Sequence, residues 1–141
     1  PVIGPGETSM VIACLLGCRF SILTILQSMV GPLRELSARV GVSDKLASIR
    51  SVGIPVLELA RREDLMKRLI QAGRQAKEED DADVLVLGCM TMAFLDVSRK
   101  LQDKLDIPVV NPAHSSVKMA ETIVDMGLTH SSRAHRTFQA R

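Results

Sequence analysis

Apolar positions change period from segment to segment along the chain, and the changes predict strands alternating with helices. Residues 19–25, RFSILTI, are short, apolar and β-branched, which predicts a strand. Over 29–40, Leu33, Leu36 and Val40 recur at helical spacing. Pro32 then falls in the first turn, where proline is tolerated, and Gly41 is placed to stop the helix. LASIRSVG, 46–53, alternates and predicts a second strand. Across 61–79, Leu65, Leu69, Ala72 and Ala76 recur at threes and fours, with Met66, Ile70 and Gly73 beside them. That is an amphipathic helix whose other face, Lys67, Arg68, Arg74, Lys77 and Glu78, is solvated surface. DVLVLGC, 83–89, lacks alternation, as a parallel strand buried on both faces does. A helix is predicted over 91–105, then a short strand in IPVVNP, then a helix over 113–127 ending at Gly127. The tail THSSRAHRTFQAR carries three Arg, two His and no acid; a frayed end is the simpler reading, an anion site the other.

This order predicts an α/β fold, a three-layer sandwich around a parallel, doubly wound, flavodoxin-like sheet with right-handed crossovers. Ligand sites in such sheets form at the carboxyl ends of strands. Three strand ends stand out there: Thr24, Cys89 and Asn111.

Composition narrows the function classes. The 141 residues suit one domain, and 46% hydrophobic with 24% charged residues allows a core and a polar surface. Eighteen basic against sixteen acidic residues leaves no general charge for nucleic acid. Three Phe, no Tyr and no Trp leave little for base stacking. No nucleotide-type glycine loop follows a strand. The most apolar stretch, MVIACLLGCRFSILTIL, is broken by Arg19 and by a turn at Gly17, so no membrane span is expected. No signal peptide is recognisable, and three cysteines without framework spacing fit a reduced, cytoplasmic setting. The chain starts at Pro1 without Met, which suggests a missing upstream segment.

Two segments echo each other. PVIGPGETSMVIACLL from residue 1 aligns without gaps with PVVNPAHSSVKMAETI from residue 108. Pro1/Pro108, Val2/Val109, Pro5/Pro112, Ser9/Ser116 and Ala13/Ala120 are identical. Both read as short strand, proline turn and helix. Two generic βα units could match this way. Repeat logic gives the sharper expectation of two similar lobes, with Pro1–Gly4 the last strand of a first lobe absent from this chain.

PVIGPGE followed by a helix, RFSILT, DADVLVLGCMTMA and IPVVNPAHSSVKMAE occur here in that order. Together they resemble the aspartate/glutamate/hydantoin racemase superfamily, and its hydantoin-racemase-like branch most closely. The resemblance implies one lobe of a pseudosymmetric two-lobe fold. Residues 1–18 would end the first lobe and supply a crossover helix, 19–112 would form the second lobe, and 113–141 would return toward the first. It further implies a cofactor-free racemase or isomerase acting on a carbon next to a carbonyl in a small hydantoin-like or amino-acid-like molecule. One cysteine from each lobe would act, with Cys89 the second-lobe base. Thr24 would hold the substrate. The segment after Cys89, starting with Met90 and Thr91, would present backbone amides to a substrate oxygen, and Gly88 would let the backbone approach a ligand closely. Met90 and Thr91 stand where the branch has a small residue and Gly, and Ile25 where it often has a second Thr. A one-cysteine decarboxylase of the same superfamily, or a non-catalytic lobe, is the alternative.

Local chemistry supports these roles in part. A free thiol has a pKa of about 8.5 and gains from an anion-favouring setting. Cys89 is expected where a strand meets a helix N-terminus, whose unpaired amides favour an anion and would stabilise an enolate. A small core cysteine is the plain structural reading. Cys14 and Cys18 have no second pair at metal spacing and read as packing residues; no metal is expected. His114 could touch substrate near Asn111 or belong to a helix start capped by its serines. Glu7, its counterpart in the echo, could line a cleft or favour its helix start. Alone, the chain is expected to be inactive, and its ends are expected to pack on a second copy or on a first lobe, covering Val117, Ala120, Ile123 and Val124.

Overall fold

The structure is a computed structural model and describes residues 1–54 and 62–134. Its centre is β3 (Val84–Leu87), whose four residues are all buried, as an unbroken apolar run requires. β1 (Phe20–Thr24) lies on one side of β3 and the two-residue β4 (Val109–Val110) on the other. β2 (Leu46–Ser51) flanks β1 at the edge and is half-buried throughout, which accounts for its alternating sequence. All pairings are parallel, in the order β2-β1-β3-β4.

Side-chain alternation on these strands feeds two cores. On one face Phe20, Ile22, Val84, Val86 and Val110 pack under α1 (Pro5–Leu16) and α2 (Val30–Val40) through Met10, Ala13 and Leu33. On the other, Leu23, Leu85, Leu87 and Val109 pack under α3 (Arg62–Glu78) through Leu65, Leu69 and Ala76, and under two shorter helices. Each fully buried Leu or Ile contributes about 1.5–3 kcal/mol, so the doubled core dominates stability. The sheet is thus covered on both faces, the α/β arrangement that the strand–helix alternation predicts. Gly41 stops α2 in the left-handed conformation (φ 80°), as expected of a glycine there.

Two elements differ from expectation. The helix predicted over 91–105 is split into α4 (Met90–Phe94) and α5 (Val97–Leu105). Asp96 separates them with φ 52°, a left-handed conformation that short polar side chains tolerate. The break re-aims the chain so that Met92 and the Val97, Leu101, Leu105 stripe all reach the core. Residues 1–4, expected as a strand, form none, because no neighbouring strand lies beside them among the described residues. Instead the Val2 amide donates to His130 Nε2 at 2.8 Å. The last helix, α6 (Pro112–Asp125), packs on α1 and α4.

An ion pair ties the edge strand down. Arg50 on β2 donates from Nε to Asp80 Oδ2 at 2.6 Å and from Nη2 to Asp80 Oδ1 at 2.8 Å, and Ser48 Oγ donates to the same carboxylate at 2.5 Å. The hydrogen bond from Arg50 holds the Asp80 carboxyl below its ordinary range. A depressed folded-state pKa gives stability that is present above the ordinary carboxylate range and lost as pH falls through the folded value. Asp80→Ala should therefore cost about 1–3 kcal/mol at neutral pH, because it leaves Arg50 and Ser48 without their acceptor. Urea denaturation of both proteins across pH checks this. The gap should close under acid conditions and stay constant from neutral to mildly alkaline pH.

Candidate active site

The strand-end rim is built around the turn from β3 into α4. Leu23 and Leu87 pair across β1 and β3, and the next amide, Gly88, donates to the Leu23 carbonyl at 2.7 Å. A side chain at position 88 would press on that carbonyl and on the side chains of Ile22 and Leu33. Glycine is therefore required by close approach to β1 and α2. Cys89 follows as the N-cap of α4, half-buried, with its side chain making no cap hydrogen bond.

Cys89 opens onto a cavity of about 180 Å3 between the sheet, α1 and α2. Among the described residues the walls are Pro5, Gly6, Ser9, Met10, Ile22, Leu33, Val86, Leu87, Gly88, Met90 and Pro112, and Cys89 is the one titratable side chain of that lining. Among the described lining residues no side chain carries a fixed charge, and the polar features are largely backbone. α1 starts at Pro5 with no side-chain cap, and α4 starts at Met90, so amides in both first turns have no intrahelical acceptor.

Asn111 ties the walls together. Its carboxamide nitrogen donates to the Ala93 carbonyl of α4 at 3.0 Å and to Ser98 Oγ of α5 at 3.4 Å. Its carboxamide oxygen accepts from the Ala113 and His114 amides of α6 at 3.0 and 3.2 Å. One buried side chain thus joins three helices at the strand-end rim.

The predicted site residues divide into two groups. Cys89, Gly88 and Met90 line the cavity, and Thr91 follows in the same first turn. Thr24 ends β1 beside Gly88; it is buried, outside the cavity lining, and its carbonyl accepts from the Val52 amide at 2.9 Å. Glu7 and His114 lie elsewhere. The Glu7 carboxylate folds back over Gly4 and borders a different hollow with Val2, Met119 and His130. His114 faces a groove beside β4 with Arg99 and Lys118. Cys14 and Cys18 sit toward the other end of α1 from the cavity. Cys14 is half-buried, which pushes its thiol pKa up, and the Cys18 amide donates to Asp83 Oδ2 at 2.8 Å. Sequence reasoning missed the walls from α1 and α6. The signal available was the echo itself, since its matched prolines, Pro5 and Pro112, begin two helices at the same cavity.

Residues 1–120 match the family described as Asp/Glu/hydantoin racemase. The chain belongs to that family. This racemase-family chain is 36% identical over 128 residues to a hydantoin racemase of Pseudomonas sp. (strain NS671), covering 90% of this chain and 51% of that protein. Among solved structures it resembles allantoin racemase from Pseudomonas fluorescens (30% identity, TM-score 0.89, 100% of this chain and 60% of that one). It also resembles allantoin racemase from Klebsiella pneumoniae (33% identity, TM-score 0.82, 94% and 54%). The chain spans about half the length of the curated relatives it matches.

Two substitutions test this architecture. Asn111→Ala should lower stability by about 2–4 kcal/mol, since it strips a helix cap and leaves buried partners unsatisfied. Asn111→Asp keeps the cap acceptor but loses the donor to Ala93, and should fall between Ala and wild type in denaturant titrations at neutral pH. Gly88→Ala should cost about 1–3 kcal/mol by overpacking and should alter the rate of Cys89 alkylation by a small electrophile.

Proposed function

We propose that the chain supplies one acid–base arm of a cofactor-independent racemase or isomerase, acting on a carbon next to a carbonyl in a hydantoin-like or amino-acid-like molecule. Cys89 is that arm. The observation that carries the reading is the placement of Cys89 at the strand ends, as the one titratable side chain among the described residues that line the cavity. Removing a proton from such a carbon needs a base within reach and a way to stabilise the enolate oxygen. A thiolate at Cys89 serves the first need. The amides of Met90 and Thr91 at the start of α4 serve the second, with Gly88 setting the turn and Thr24 supporting the neighbouring strand end.

Inversion needs the proton returned on the opposite face of the carbon. Among the described residues the cavity lining holds no second group for this, and in this reading the second arm comes from a partnering first lobe or a second copy. The exposed apolar residues of α1 and α6, among them Val11, Leu15, Val117 and Val124, provide a surface for that association. Residues 1–18 and 113–134 carry this surface, and 19–112 form the lobe that presents Cys89. Three free cysteines fit a cytoplasmic protein, and among the described residues no helix is long and apolar enough to cross a membrane.

The test uses a chiral 5-substituted hydantoin in D2O. The purified 141-residue chain is expected to give no net racemisation by polarimetry; full turnover by the chain alone would place both arms within it. In the racemising assembly, Cys89→Ser should lower turnover by about 10²–10⁴-fold with the fold intact by circular dichroism, because a hydroxyl is a far weaker carbon base. Activity close to wild type would remove Cys89 from the chemistry.

A further inference from the structure

A groove of about 530 Å3 lies beside β4, lined from α1, α5 and α6 as well, and it shares no described residue with the Cys89 cavity. That volume is within the range of small-molecule sites. Ile12 and Leu16 of α1 and Val109 and Val110 of β4 give the groove an apolar wall. Its polar side chains are biased toward donation. Ser98 is buried; its Oγ accepts from Asn111 Nδ2 at 3.4 Å, and its own proton has no acceptor among the described residues. Gln102 Oε1 accepts from the Val109 amide at 3.2 Å, and the Gln102 carboxamide nitrogen has no acceptor among the described residues. Each of these neutral side chains has used an acceptor and kept its donor. Arg99 on α5 and Lys118 on α6 add groups that only donate. Asp96 is the one acid in the described lining. Lys118 also pairs with Glu121 at 2.7 Å, whereas Arg99 forms no ion pair among the described residues.

We propose that this groove binds a small organic dianion with an apolar body, held by Arg99 and Lys118 and completed by the Ser98 hydroxyl and the Gln102 carboxamide. An ionised carboxylate only accepts, so it matches a lining whose spare capacity is donors. A neutral carbonyl would also accept, but it would leave both cations unmatched. Two cations on separate helices of one groove repel each other when it is empty, and a ligand with two anionic ends answers both. The Arg99 guanidinium suits a carboxylate in particular, because its planar fork can meet both oxygens at once. The pair of Lys118 with Glu121 is exposed on both sides and is of the weak kind that a ligand can displace. The apolar wall separates an organic diacid from a bare inorganic ion, which would gain nothing from Ile12, Leu16 or Val110. Binding here is independent of the role of Cys89.

The probe is adipate, titrated at low salt into the isotope-labelled 141-residue chain and followed by NMR. Hexanoate, adipamide and inorganic phosphate are titrated in parallel. Adipate should shift the Gln102 side-chain amide and Arg99 Nε signals saturably, with a Kd below about 10 mM. Hexanoate, which lacks one charge, and phosphate, which lacks the apolar body, should each bind at least about threefold more weakly, and adipamide at least about tenfold more weakly. Arg99→Gln and Lys118→Gln alter exposed side chains and leave the fold intact; each should weaken adipate by roughly three- to tenfold. Asp96→Asn keeps a residue type that tolerates the left-handed conformation at 96, and it should tighten binding by removing the acid. Absence of saturable shifts over that concentration range would overturn the site. So would adipamide binding as tightly as adipate, or an adipate affinity unchanged in both Arg99→Gln and Lys118→Gln. Phosphate or hexanoate equal to adipate would overturn the assignment of an organic dianion.

Discussion

The arrangement of the candidate site depends on one buried carboxamide. Asn111 ends β4, caps α6, accepts from two of its amides, and donates to the last turn of α4 and the start of α5. Helix ends leave backbone groups that burial makes costly unless something bonds them. Three helices meet at this point in the fold, and one side chain with both donors and an acceptor bonds a carbonyl of α4, the first amides of α6 and the Ser98 hydroxyl of α5. Because α4 begins at Cys89 and α6 begins at Pro112, the same bonds fix two walls of the cavity. A shorter or purely apolar residue would leave the mouth of the site without a reference point.

Close approach complements this. Gly88 lets the β3 chain press against Leu23 before it turns outward, so the thiol emerges beside β1. The result is a thiol at the rim of a pocket whose side chains, among the described residues, carry no fixed charge. The backbone amides at the starts of α1 and α4 are already fixed by helix geometry. Such groups need no reorganisation as charge develops, which is the physical basis of electrostatic stabilisation in enzyme sites. In this chain, packing and capping position the turn that presents the Cys89 sulfur.

Much of the fold was legible because local patterns and tertiary packing agree. The unbroken VLVL run is the strand buried on both faces, the Leu65/Leu69/Ala76 stripe is the helix that covers it, and Gly41 stops α2 as its position suggested. The break at Asp96 was not legible. The residues on both sides favour helix, and the turn is decided by where Met92 and Leu101 must pack. Cys89 stood out by its neighbours in sequence, but its cavity did not, since seven of the eleven other described lining residues lie more than twenty positions away along the chain. Glu7 and His114 show the converse. Both stand in the first turn of a helix that begins at the cavity, yet their side chains face other hollows, because helical rotation decides which face a residue presents.

The ion pair of Arg50 with Asp80 also bears on how copies of this molecule can meet. An open strand edge is a template for another strand, and proteins blunt such edges with charge, shortness or proline. At one edge of this sheet, β2 carries a guanidinium anchored to a carboxylate. At the other, β4 has two residues between Pro108 and Pro112, and the Val109 amide is occupied by the Gln102 side-chain oxygen at 3.2 Å. Neither edge invites the sheet to continue into a neighbour. Charge at one edge and shortness at the other thus guard the described sheet against strand addition and the open-ended growth it permits.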